Sequence, residues 1–126
     1  MVRYGLYTMS KTLNPQVLID LIGDDFATAK KFYTDFLVQS KSSCAKIKTA
    51  YQTRAFQALK DEAHYLKTSA KAVGAEVLAE HLQALEYSAL DNNTTECAEK
   101  IKAIHHEIGS EFVRELKAYL TSQSQT

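Results

Sequence analysis

The stretch Ala55–Gly74, AFQALKDEAHYLKTSAKAVG, sets small or apolar residues at Ala55, Leu59, Ala63, Leu66, Ala70 and Val73, and then a glycine. Steps of three and four predict one helix face, opening near Thr53, and Gly74 stops the helix or bends the chain. On a wheel of about 100° per residue, Leu59, Leu66, Ala70 and Val73 lie within about 30° of one direction, which must be the core. His64 lies roughly opposite. Lys60, Lys67, Thr68 and Lys71 fall within about 60° of it on the same outer face. An imidazole is therefore presented to solvent in mid-helix, flanked by cations and partly offset by Asp61 at i−3.

Outward from this helix the same period recurs. Leu78, Leu82 and Leu85 predict a fourth helix over about 75–89, and Asp91-Asn92-Asn93 is the clearest loop signal in the chain. Asn93 or Thr94 then caps a fifth helix with the stripe Cys97, Ile101, Ile104, Ile108, Phe112, Leu116 and Tyr119. Upstream, Asp24 or Asp25 caps a long second helix striped by Phe26, Ala29, Tyr33, Phe36, Leu37, Ser40, Cys44, Ile47 and Tyr51. Asn14-Pro15 opens a short first helix that Gly23 closes. Residues 1–13 and 121–126 are expected to be tails. Four amphipathic helices with short links pack as an antiparallel up-down bundle, with the short N-terminal helix over one end. The fold class is all-α, and 1–126 forms one domain.

Bulk properties exclude several functions. The 15 basic and 15 acidic residues cancel, so the surplus of a nucleic-acid binder is missing. No run of 18 apolar residues exists and the first twelve residues lack the apolar core of a signal peptide, so a soluble, cytoplasmic chain is expected. Cys44 and Cys97 fall on apolar stripes and are expected as free buried thiols.

The exposed imidazole suits a phosphoryl carrier. An ordinary imidazole titrates near pH 6.5, so close to neutrality one ring nitrogen is a free nucleophile. Ammonium groups nearby stabilise phosphate oxygens and disfavour imidazolium. If the chain reverses around Gly74 and Ala75, Glu86 reaches the level of His64 on the neighbouring helix, facing the seam. There its carboxylate could accept a hydrogen bond from one ring nitrogen and fix the tautomer so that the other attacks.

The run Ala63-His64-Tyr65-Leu66-Lys67-Thr68-Ser69-Ala70-Lys71-Ala72-Val73-Gly74-Ala75, followed by Leu78, Leu82, Leu85 and Glu86, resembles the signature of the histidine-containing phosphotransfer (HPt) family. The strong similarity covers about 25 residues. It implies a four-helix bundle that takes phosphate from the aspartyl-phosphate of one receiver domain and passes it reversibly to another. By position His64 is the phosphorylated residue, Lys67 the basic neighbour, and Glu86 a polar position near the histidine. Receiver domains of response regulators and hybrid sensor kinases are the implied partners. The carrier needs no cofactor, since any Mg2+ belongs to the receiver's acidic pocket. One departure stands out: the family usually has Gly after the lysine, and this chain has Thr68. Its side chain either crowds the docking surface or bonds a phosphate oxygen or the histidine.

No nucleotide loop or kinase-type sequence is present, so autokinase activity is not expected. Lys60, Leu18 and Ile22 are candidate docking residues, with closure of the bundle end as the equal alternative for the two on the short helix. His81 is expected to pack its ring beside a seam. His105 and His106 point about 100° apart and cannot share a metal in a regular helix. No metal site, membrane or nucleic-acid contact is expected, and the chain is expected to be monomeric. Its initial Met and polar end fit a free-standing protein. The rival reading is a non-catalytic helical adaptor that docks receivers without being phosphorylated; a metal-binding bundle is a weaker third.

Overall fold

Helix ends fall where capping residues permit them. In the computed structural model, which describes residues 9–124, α1 (Pro15–Ile22) starts with the Asn14 side chain accepting from the Gln16 N–H. Asp25 caps α2 (Phe26–Gln52) by accepting from the N–H groups of Ala27 and Thr28. The helix α3 (Phe56–Ala72) opens three residues later than its spacing predicts. Thr53 and Arg54 are spent on the turn: Arg54 takes φ +58° and its guanidinium donates to the Tyr51 carbonyl at 2.6 Å. Next come α4 (Glu76–Leu90), α5 (Thr94–His106) capped by Asn93, a π-helical segment (Glu107–Phe112) and α6 (Val113–Ser124). These last three form one uninterrupted rod.

The chain is an all-α bundle with no strand among the described residues. Packing runs α2 to α3, α3 to α4, α4 to α5 and α5 back to α2, with α1 across α2 and α3. The α3–α4 and α2–α5 seams therefore lie on opposite sides. Between them Leu59, Leu66, Leu78, Leu82, Leu85, Ile104 and Phe112 are almost fully buried. No helix among the described residues is long and apolar enough to cross a membrane.

The π segment has a cause in the stripe. Ile104, Ile108, Phe112 and Leu116 follow at three successive steps of four, which in an α-helix drift by about 120°. The wider i→i+5 turn takes up that drift, and Ile104, Phe112 and Leu116 all stay buried.

Three terminal expectations are corrected. Residues 10–13 are no loose lead-in: the Lys11 carbonyl accepts from the Glu76 and Val77 N–H groups, and Leu13 is buried. These contacts supply acceptors to the orphan donors at the start of α4. Residues 121–124 continue α6 as exposed helix; the rest of the expected tails, 1–8 and 125–126, lies outside the described residues. Leu18 is 1% exposed and closes the bundle end, so it is not available for docking, while Ile22 packs half-buried against the core.

The reversal between α3 and α4 is fixed by Gly74 at φ +79°, a left-handed conformation that side chains strain to adopt. A Cβ there would also overlap the Asn14 carbonyl oxygen. The Asn14 N–H donates to the Gly74 carbonyl at 2.8 Å, and the Asn14 side-chain amide donates to Glu76 at 2.9 Å. The register of the α3–α4 hairpin is thereby tied to α1.

Candidate functional site

Antiparallel pairing around Gly74 and Ala75 brings the middle of α3 level with the last turns of α4. His64 stands there with its side chain 61% exposed, and its Nδ1 lies 3.0 Å from Glu86 Oε2. Nε2 has no hydrogen-bond partner among the described residues. Glu86 is itself mostly covered, at 12% side-chain exposure. Its other oxygen, Oε1, lies 2.6 Å from Lys67 Nζ. Burial pushes the Glu86 carboxyl up, but hydrogen bonds and charge from Lys67 and His64 outweigh it and hold the group below the usual carboxylate range. A carboxylate can only accept, so it pairs with Nδ1–H; in the neutral imidazole that tautomer has its lone pair on Nε2.

Lys67 does not stand out in solvent as the wheel implied. Its side chain is only 13% exposed, because the stem folds along the seam and the ammonium compensates the buried carboxylate. The spacing also puts Lys60 and Lys71 on this face. Lys60 lies 3.5 Å from Asp61, and Lys71 borders a cleft of about 410 Å3 with Val17, Glu76, Ala79 and Gln83. Tyr65 and Tyr87, adjacent in sequence to His64 and Glu86, are exposed.

The Thr68 hydroxyl donates back to the His64 carbonyl at 3.2 Å. Of the alternatives open in the sequence, the side chain thus bonds the helix backbone, and its bulk remains on the exposed face one turn beyond the imidazole.

Away from this site the structure adds a residue that the stripes did not single out. Glu107, at the start of the π segment, is 5% exposed and hydrogen-bonded by Thr12, with His81 of α4 nearby. Its placement three residues after Ile104 was the available signal. His81 is half-buried as expected, and His106 Nε2 lies 3.3 Å from Glu111. No group of three possible metal ligands occurs among the described residues. Both cysteines are free and buried.

The Hpt domain family model matches residues 31–122. Among solved structures the fold is similar to that of histidine-containing phosphotransfer protein B from Pseudomonas aeruginosa PAO1. The TM-score is 0.73 at 21% identity, and the match covers 93% of this chain and 97% of that one. At that identity the likeness speaks to the fold alone. No curated protein matches the chain.

Proposed function

The chain belongs to the Hpt domain family, that of phosphotransfer proteins in phosphorelays, and from that premise we propose that it carries the phosphoryl group on His64. The Nε2 lone pair attacks the phosphorus of a receiver's aspartyl-phosphate. The N–P bond forms as the P–O bond breaks, and the aspartate leaves as a carboxylate. The ring, still protonated at Nδ1, becomes a phosphorylated imidazolium whose charge Glu86 balances. The reverse steps deliver the group to a second receiver. Mg2+ in the receiver's acidic pocket supplies the charge stabilisation at phosphorus, and this chain supplies the nucleophile.

The observation that carries this reading is an exposed imidazole with one nitrogen held by a carboxylate and the other without a partner among the described residues. Lys67 supports it through Glu86, and Lys60 and Lys71 add positive charge on the same helix for a docking receiver. The exposed Thr68 narrows the approach and selects among receivers. We place the protein in the cytoplasm as a monomer without a cofactor of its own.

The test is incubation with phosphorylated receivers from the same organism. Transfer of label to this chain, as an acid-labile and base-stable phosphate absent from His64→Gln, is the expected result. A complex that forms without transfer would make the chain an adaptor.

A further inference from the structure

The α2–α5 seam, on the far side of the bundle from His64, does not close along its length. Where the rod widens into the π segment, a groove runs between it and α2. One lobe of about 310 Å3 is lined by Leu37, Val38, Ile108 and Val113, and the next, of about 320 Å3, by Cys44, Lys48 and His105. Lys41, Ile108 and Gly109 border both, so the lobes are continuous. Gly109 leaves the floor open, since a Cβ there would meet nothing within 4 Å. From Thr34 to Lys48 the groove follows α2 for about 21 Å, roughly four helical turns.

Its chemistry is one-sided. The floor is apolar, and Val38 is 66% exposed. The charge at its edge comes from Lys41 and Lys48, and no carboxylate lines either lobe. Neither lysine has an ion-pair partner among the described residues, although the protein as a whole is neutral.

We infer that this groove is a second docking site, which takes an amphipathic helix of a partner protein with carboxylates flanking its apolar ridge. A trough about four turns long between two helices matches the apolar face of a third helix, and the cationic edge selects acidic flanks and sets their register. Because the α3–α4 seam lies opposite, a partner here leaves His64 open, and the phosphoryl group can pass while the partner stays bound.

The probe is a labelled synthetic helix of about 16 residues of Leu, Ala and Glu, with leucines at i, i+3, i+4 and i+7, beside a twin carrying Lys for Glu. The acidic peptide should bind saturably and the basic twin should not. Affinity should fall at least about tenfold in Lys41→Glu combined with Lys48→Glu. Gly109→Phe, which fills open space, should weaken it equally while melting like the parent. Amide shifts should move over 34–48 and 105–113, and the rate of label transfer to His64 should be unchanged with peptide bound. The inference is overturned if neither peptide binds, if both bind alike, or if neither variant weakens binding. Shifts that fall on His64 and Glu86, or a dimer in sedimentation whose contacts fill the groove, would overturn it too. None of these outcomes bears on whether His64 is phosphorylated.

Discussion

Two glutamates are buried in this small protein, Glu86 at 9% exposure and Glu107 at 5%, and their carboxyls are driven in opposite directions. Burial raises both. At Glu86 the ammonium of Lys67 and the imidazole of His64 more than cancel it. At Glu107 burial prevails over a hydrogen bond from Thr12 and attraction to His81, with Glu111 adding repulsion and His106 easing it. Depth does not separate them; partners do. A carboxylate kept ionised beside an exposed ring can hold a tautomer and balance charge, whereas one that resists ionisation in the core weighs on the fold.

The largest effect expected of this contrast is on phosphotransfer. Glu86→Ala should slow loss of label from a phosphorylated receiver about 10–100-fold, the range seen when an orienting partner of a functional histidine is removed. Glu107→Gln should leave that rate within about twofold. Single-turnover assays of both variants decide the matter, and an unchanged rate in Glu86→Ala would remove its positioning role.

Stability comes next. Lys67→Met removes the cation at Glu86 Oε1 while keeping most of the stem's volume, so Glu86 comes to resemble Glu107. We expect a loss of about 2 kcal/mol in urea unfolding, within the range for stranding a buried polar group. The Glu86 carboxyl should move upward when followed by its side-chain carbon shift against pH. If stability and titration both stayed put, the 2.6 Å contact would have no energetic weight.

Much of this was legible in the sequence, for definable reasons. Helix caps are local chemistry: Asn14 read correctly, and Asp25 and Asn93 were each one of two adjacent candidates. The meeting of His64 with Glu86 follows from a single reversal at Gly74, so counting residues up and down two helices was enough. Side-chain direction was less legible. A wheel put Lys67 among exposed cations because it treats a long flexible stem as a point, and the pull of a buried carboxylate on the next helix is not local. Leu18 gave the same difficulty, since an apolar face does not reveal whether it meets the bundle or a partner. Neither the π segment nor the burial of Glu107 was foreseen. Both arise from the drift of i+4 steps, which appears only when the whole stripe must face one core.

The smallest effect expected lies in the pH dependence of stability, where the two glutamates should pull with opposite signs. The depressed Glu86 carboxyl contributes stability that is fully present above the ordinary carboxylate range and is lost as pH falls through its folded value. Glu86→Gln should therefore cost stability at pH 7, and the cost should fade in acid. Glu107 titrates higher folded than unfolded, so its penalty is absent in acid and grows as pH rises from the ordinary carboxylate value through the folded one. Glu107→Gln keeps an acceptor for Thr12 and has no charge to bury. It should raise the melting temperature at pH 7 by about 2–5 °C, on the order of 1 kcal/mol for a domain this size, and the gain should vanish near pH 4. Melting curves from about pH 2 to 8 cover both slopes in one series, that of Glu86 below the ordinary carboxylate value and that of Glu107 above it. If Glu107→Gln lowered the melting temperature at pH 7, attraction to His81 would have to outweigh burial, and the two glutamates would be alike after all.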